Sequence, residues 1–107
     1  MKKFLVLYEA PATAMEQMAK ATPEQAKQGM DLWMKWKNAN DKAIVDLGMP
    51  LGKGVHLKKG ATSLVVGYSI IQAASMDAAK KVVDNHPHFH TQGGSIEIFE
   101  MLPMPGM

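Results

Sequence analysis

The chain carries four histidines, and three of them, His86, His88 and His90, stand at alternate positions in NHPHFHTQGG, residues 85 to 94. In an extended segment alternate side chains share a face, so the three imidazoles could converge on one Zn²⁺ or Cu²⁺. Pro87 interrupts a regular strand there, and no nearby carboxylate supplies the orienting outer shell that such sites use. A plainer reading has His86 closing a helix against its negative end, with Pro87 forbidding continuation and the other two lining a loop. A third reading makes His86 a general base. An imidazole held by a carboxylate fills that role near neutral pH. Its natural partner is Asp46, because an unpaired carboxylate in the otherwise apolar IVDLG is costly. Asp46 has its own plain alternative, a strand-end carboxylate that faces water or caps a turn.

The expected catalytic pair is therefore His86 and Asp46. Tyr8, Tyr68, His88 and His56 are the candidate substrate contacts, and Ser69 offers a further hydroxyl. Core packing is the commoner fate of strand tyrosines. Trp33 and Trp36 lie on one helical stripe and read as core or dimer contacts. No metal or cofactor is assigned. Met101, Met104 and Met107 could offer soft ligands to copper, but gap-filling and packing across a dimer explain ten methionines with less. Gly48 to Gly54 has the composition of a phosphate loop without its strand–loop–helix setting or its GK[ST] ending.

These residues sit in a chain of 107 residues, enough for one domain, 1–107, with a real core. Hydrophobic residues make up 47% and charged residues 21%, the balance of a globular protein. Net charge is +2, and all 12 cationic side chains are lysine. The missing arginine fork argues against a nucleic-acid reader or a bidentate phosphate clamp. Without cysteine there is no disulfide, thiolate site or thiol chemistry. The opening MKKFLVLYEAPATA imitates a secretion signal, but its apolar run stops at Glu9, short of the ~7–15 residues of a signal core. No stretch reaches the ~20 apolar residues of a membrane span, so no membrane partner is expected and the location read from the sequence is cytoplasmic.

KFLVLY reads as a strand over residues 2–8. Thr13 and Glu16 have capping-box spacing within the alanine-rich 10–21 stretch, which implies a short helical turn or ordered loop. TPEQ is a stronger start signal: Thr22 and Gln25 can cap each other, and Pro23 fits the first helical position. The helix should run from Pro23 to Ala39. KAIVDLGMPLGKGVHL is a bent edge strand broken by Gly48, Pro50, Gly52 and Gly54, and LKKGAT is a turn. Residues 63–74 form the longest strand, in which Gly67 marks a bulge. Ser75 caps a helix over Met76–Asn85, residues 95–101 form the last strand, and LPMPGM is a proline-stiffened tail.

The order strand, helix, strand, strand, helix, strand gives an α+β, ferredoxin-like protomer: a four-stranded antiparallel sheet with both helices on one face. Such a sheet should alternate apolar and polar. The first strand instead shows Phe4, Val6 and Tyr8 on one side and Leu5 and Leu7 on the other. The third shows Leu64, Val66, Tyr68 and Ile70 against Val65 and Ile71. Two helices cover one face, so the other calls for a second copy of the chain. The expectation is a homodimer, two sheets enclosing a barrel-like interior able to take a small ligand.

KKFLVLYEAP, IVDLGMPLG, GYSIIQAASMDAAKKVV, the HPHF run and GGSIEIFEMLPMPGM, in that order and spacing, resemble the YCII-related family of small dimeric α+β barrel proteins. The resemblance spans nearly the whole chain and implies the same protomer and the same dimer. It also implies a small lyase, isomerase or dehalogenase, because members resembling chlorinated-hydroquinone dehydrochlorinases use or are proposed to use a His–Asp dyad at the two ends of the first helix. Here the histidine's positions hold Gln25 and Ala26, and the aspartate's falls on Asn40, one residue before Asp41. That dyad cannot be assembled. The DGPF motif of another branch is replaced by LGKGVHLKKG. The alternative is a non-catalytic dimeric module that binds a small ligand or a partner protein.

Overall fold

The computed structural model describes residues 1–58 and 63–106. The strands are β1 Lys2–Glu9, β2 Ile44–Asp46, β3 Val65–Ala73 and β4 Ser95–Glu100. The helices are α1 Ala14–Lys20, α2 Pro23–Ala39 and α3 Met76–Val83, and a 3-10 turn covers Pro87–His90. The sheet is antiparallel in the order β2-β3-β1-β4, which is the ferredoxin-like α+β arrangement. Among the described residues, no helix is long and apolar enough to cross a membrane.

Local chemistry sets the boundaries. Thr22 accepts from the Gln25 amide and the Gln25 side chain accepts from the Thr22 amide, so two orphan donors of α2 are satisfied at once. Thr13 caps α1 through the Glu16 amide, making a true helix where a helical turn or loop was expected. Ser75 accepts from Ala78 at the start of α3. The bent second strand is a ladder strand only over Ile44–Asp46, with a register shift inside it, and Pro50 makes a further bridge to Gly67. Positions 59–62 of the expected 57–62 turn lie outside the described residues.

The core lies on one face of the sheet. Phe4, Val6, Tyr8, Ile71 and Ala73 pack there against Trp36 of α2 and Ala79 and Val83 of α3. Burying side chains the size of Phe4, Val6 or Ile71 is worth about 1.5–3 kcal/mol each. Tyr8 pairs with Gly67 and Glu9 with Val65, leaving Val66 as the extra residue of a bulge. The bulge breaks the expected alternation: Val66 turns into the core while Tyr68 takes the other face, opposite Leu7.

That other face holds Leu5 and Leu7 of β1, Tyr68 and Ile70 of β3, and Phe99 of β4, placed side by side by the pairs Leu5↔Ile70, Leu7↔Tyr68 and Leu5↔Phe99. The core helices lie on the opposite side. Phe99 stays 48% exposed. Glu97 of β4 stands opposite Leu7 on this face. The sheet carries apolar side chains on both faces and is covered on one.

Candidate functional site

The expected site residues separate into groups. Tyr8, His86 and His88 come together under α2, on the helix side. Tyr68 is half-buried on the uncovered face. Asp46 is exposed at the end of β2, where its Oδ1 accepts from the Gly48 amide at 2.9 Å, the turn-capping role. His56 is exposed. The expected His86–Asp46 hydrogen bond is not formed within the protomer. Asp46 is held in its own turn, and His86 lies in the helix–sheet layer.

The position of His86 follows from its neighbours. Pro87 confines the preceding residue to an extended backbone, here φ −66 and ψ 137. The backbone amide of His86 reaches back to the Val83 carbonyl at 3.1 Å, at the end of α3. Its side chain turns inward, and Nδ1 accepts from the His88 amide at 2.9 Å, capping the 3-10 turn. His86 is 1% exposed. The alternating histidines therefore do not share one face: His86 and His88 are buried and His90 is exposed.

Aromatic rings enclose the imidazole. Trp36 lies at 4.3 Å and Trp33 at 4.5 Å between ring centroids, both edge-to-face, and Tyr8 at 4.7 Å. Trp33 also meets Tyr8 edge-on at 5.2 Å. Trp36 Nε1–H donates to the Val82 carbonyl at 2.9 Å, which ties α2 to α3. His88 Nε2 donates to the Glu9 carbonyl at 2.8 Å, tying the 3-10 turn to β1. Tyr8 Oη–H donates to Ser69 Oγ at 2.8 Å, and Ser69 donates onward to the Leu47 carbonyl at 2.6 Å. Gly67 leaves room for the Tyr8 ring, whose Cδ2 would sit 3.3 Å from an added Cβ.

Electrostatics agree with this packing. Burial, with a smaller contribution from neighbouring His88, pulls the His86 pKa down to about 3, so the ring is neutral across ordinary pH. Burial pushes the Tyr8 pKa up to about 12, opposed in part by the bond to Ser69. Because Nδ1 of His86 accepts a backbone N–H, the single proton of the neutral ring resides on Nε2. Nε2 is buried and has no hydrogen-bond partner among the described residues. In this state the ring offers a donor and no free lone pair, so it is not poised as a base.

Trp33 and Trp36, expected as core or dimer contacts, form two walls around His86. Their i, i+3 spacing on one stripe was the available signal, since it sends both rings to one place. An open apolar groove between α3 and β4, lined by Val83, Phe89, Ile96 and Ile98 with Lys80 and Asp84 at its rim, includes none of the expected site residues.

No protein family model matches the chain, and no curated protein matches it in sequence. Among solved structures, the chain is similar to 5-chloro-2-hydroxyhydroquinone dehydrochlorinase from Burkholderia phenoliruptrix AC1100, solved in complex with 2,5-dihydroxybenzoquinone. The TM-score is 0.58 at 14% identity, over 95% of this chain and 94% of that one. The likeness is one of fold.

Proposed function

We propose that this chain is the subunit of a homodimeric α+β barrel of the YCII-related kind, which encloses a small organic molecule between its two sheets. The observation that carries the reading is the uncovered sheet face with Leu5, Leu7, Tyr68, Ile70 and Phe99 in adjoining registers. A soluble monomer rarely leaves a cluster of five such side chains open, and a second copy removes it from water at no cost in new sequence. Tyr68 lies on this face and would give the interior a hydroxyl able to orient a ligand.

A dehalogenase-type enzyme is the second reading, favoured by the fold shared with a dehydrochlorinase along nearly the whole of both chains. In it, His86 serves as base and Asp46 as its orienter. That requires Nδ1 to leave the His88 amide and Asp46, exposed at the end of β2, to reach the buried ring. Binding without a dyad asks for neither change, and is preferred for that reason.

Sedimentation of the full chain tests the proposal. A dimer is expected, with Ile70→Asp and Leu7→Asp shifting it to monomer while the circular dichroism of the fold persists. A wild-type monomer at millimolar concentration overturns the reading. Calorimetric titration with 2,5-dihydroxybenzoquinone, followed by release of halide from a chlorinated hydroquinone, separates binding from turnover. Halide release lost in His86→Gln would favour the enzyme.

A further inference from the structure

Two carboxyl groups interrupt the uncovered sheet face. Side chains alternate along β1, so Glu9 shares that face with Leu5 and Leu7 and closes the row at the strand's end. On β4, Glu97 stands opposite Leu7 and Ser95 opposite Glu9. Glu97 is therefore the diagonal neighbour of Glu9, within reach of a long side chain across an antiparallel pair. The two groups interact: burial, a hydrogen bond with Glu97 and the charge of Glu97 hold the Glu9 carboxyl above the usual carboxylate range. Among the described residues neither forms an ion pair with a lysine. The other charged or titratable side chains that the strands place on this face are Lys3 on β1, Tyr68 on β3 and Asp46 at the end of β2. Lys3 stands about 20 Å from Glu9 along the strand, and Asp46 is two strands removed from it. From the helix side, His88 touches only the Glu9 carbonyl. Like charges as cross-strand neighbours weaken a sheet, and the cost grows as water is withdrawn from them.

We propose that the Glu9–Glu97 pair links association of two copies of the chain through this face to protons, each protomer taking up a proton that its two carboxyl groups share. The device rests on the dimer reading above and adds a control to it: the barrel closes more tightly as pH falls. In the separate protomer, water solvates Glu97, which is exposed, and in part Glu9, which is half-buried. A second copy laid on the face removes that solvation, disfavours the doubly charged pair and raises its affinity for a proton. The shared proton turns one carboxyl into a donor to the other, so the pair is satisfied without a cation. The dimer then binds more protons than two separate protomers, and acidification favours it.

Sedimentation equilibrium of the full chain at pH 7.5, 6.5 and 5.5 reads the effect, and circular dichroism at each pH keeps assembly apart from unfolding. With about two protons taken up per dimer, Kd falls by as much as about 100-fold per pH unit at its steepest, and a tightening of about tenfold or more is expected across the series. Glu97→Gln changes an exposed position and supplies an amide that donates to Glu9 at any pH. Its dimer should be as tight at pH 7.5 as the wild type's at pH 5.5, and Glu9→Gln/Glu97→Gln should lose the pH dependence altogether. Dilution calorimetry in two buffers of unlike ionisation enthalpy should register proton release as wild-type dimers come apart. Four results would each overturn the device and leave the dimer standing: a Kd that stays constant or weakens on acidification, dissociation without proton release, a Glu97→Gln dimer no tighter than wild type at pH 7.5, or a pH dependence that survives in the double variant. A monomer at every pH and at millimolar concentration would overturn both.

Discussion

Acid should unfold this protein through His86, and the size of the effect follows from its burial. In the unfolded chain the imidazole titrates near 6.5, whereas in the folded state its pKa falls to about 3. Between those values the unfolded state binds a proton that the native state refuses, so stability is complete above pH 6.5 and drains away as pH falls toward 3. The limiting slope is about 1.4 kcal/mol per pH unit. By pH 5 the accumulated loss is about 2 kcal/mol, which for a chain this short lowers Tm by about 9 °C. The groups that face the ring are neutral Tyr8, the two tryptophans and His88, so no carboxylate is at hand to receive the charge. The assay is urea denaturation of the wild type and of His86→Asn at pH 7.5, 6 and 5. Asn preserves a cap for the His88 amide and does not titrate, so carboxylates elsewhere cancel in the comparison. The variant should start less stable, because the ring's packing is gone, and should lose about 2 kcal/mol less on going to pH 5. Parallel pH profiles for the two proteins would refute the reasoning, because they would mean that His86 accepts its proton in the folded state as readily as in the unfolded one.

Tyr8→Phe removes one buried neutral hydrogen bond and leaves Ser69 Oγ donating to Leu47 alone; the expected cost is about 1 kcal/mol by urea denaturation. The same variant should flatten the loss of stability between pH 10 and 12, where unfolded tyrosine ionises and buried Tyr8 does not. Gly48→Ala should destabilise by more than about 2 kcal/mol, since Gly48 has φ +80 and an added Cβ would collide with the Tyr68 carbonyl. Thr22→Ala breaks the capping box of α2 and should cost about 1 kcal/mol, with amide exchange rising at the start of that helix and unchanged in β1.

The elements that punctuate themselves were readable in advance. Thr22, Pro23 and Gln25 fixed the start of α2, and the Asn-Ala-Asn run its end, because capping and breaking are local events within a few residues. Gly67 announced a bulge, but its consequence was not legible. Whether Val66 or Tyr68 points into the core depends on which residue of β3 is left unpaired against β1, and that is settled by a strand far away in sequence. The candidate site shows the same division. His86 at the end of a helix and the turn-capping role of Asp46 were both on the table as plain readings, whereas the burial of His86 was not. Their separation was not, because the two residues lie on segments whose relative placement only the finished sheet decides. Trp33 and Trp36 were visible as a stripe, but a stripe does not say what it will close over.

β1 lies between β3 and β4, and its Lys3 carbonyl accepts from Met101 just beyond the last strand. Both neighbours of β1 thus come from far later in the chain. During synthesis KFLVLY has no native strand to lie against until β3 is out, and its second edge stays open until β4 follows. A nascent chain of this kind depends on a slow search among distant segments, and β1 is the place where chaperones or faulty self-association would take hold.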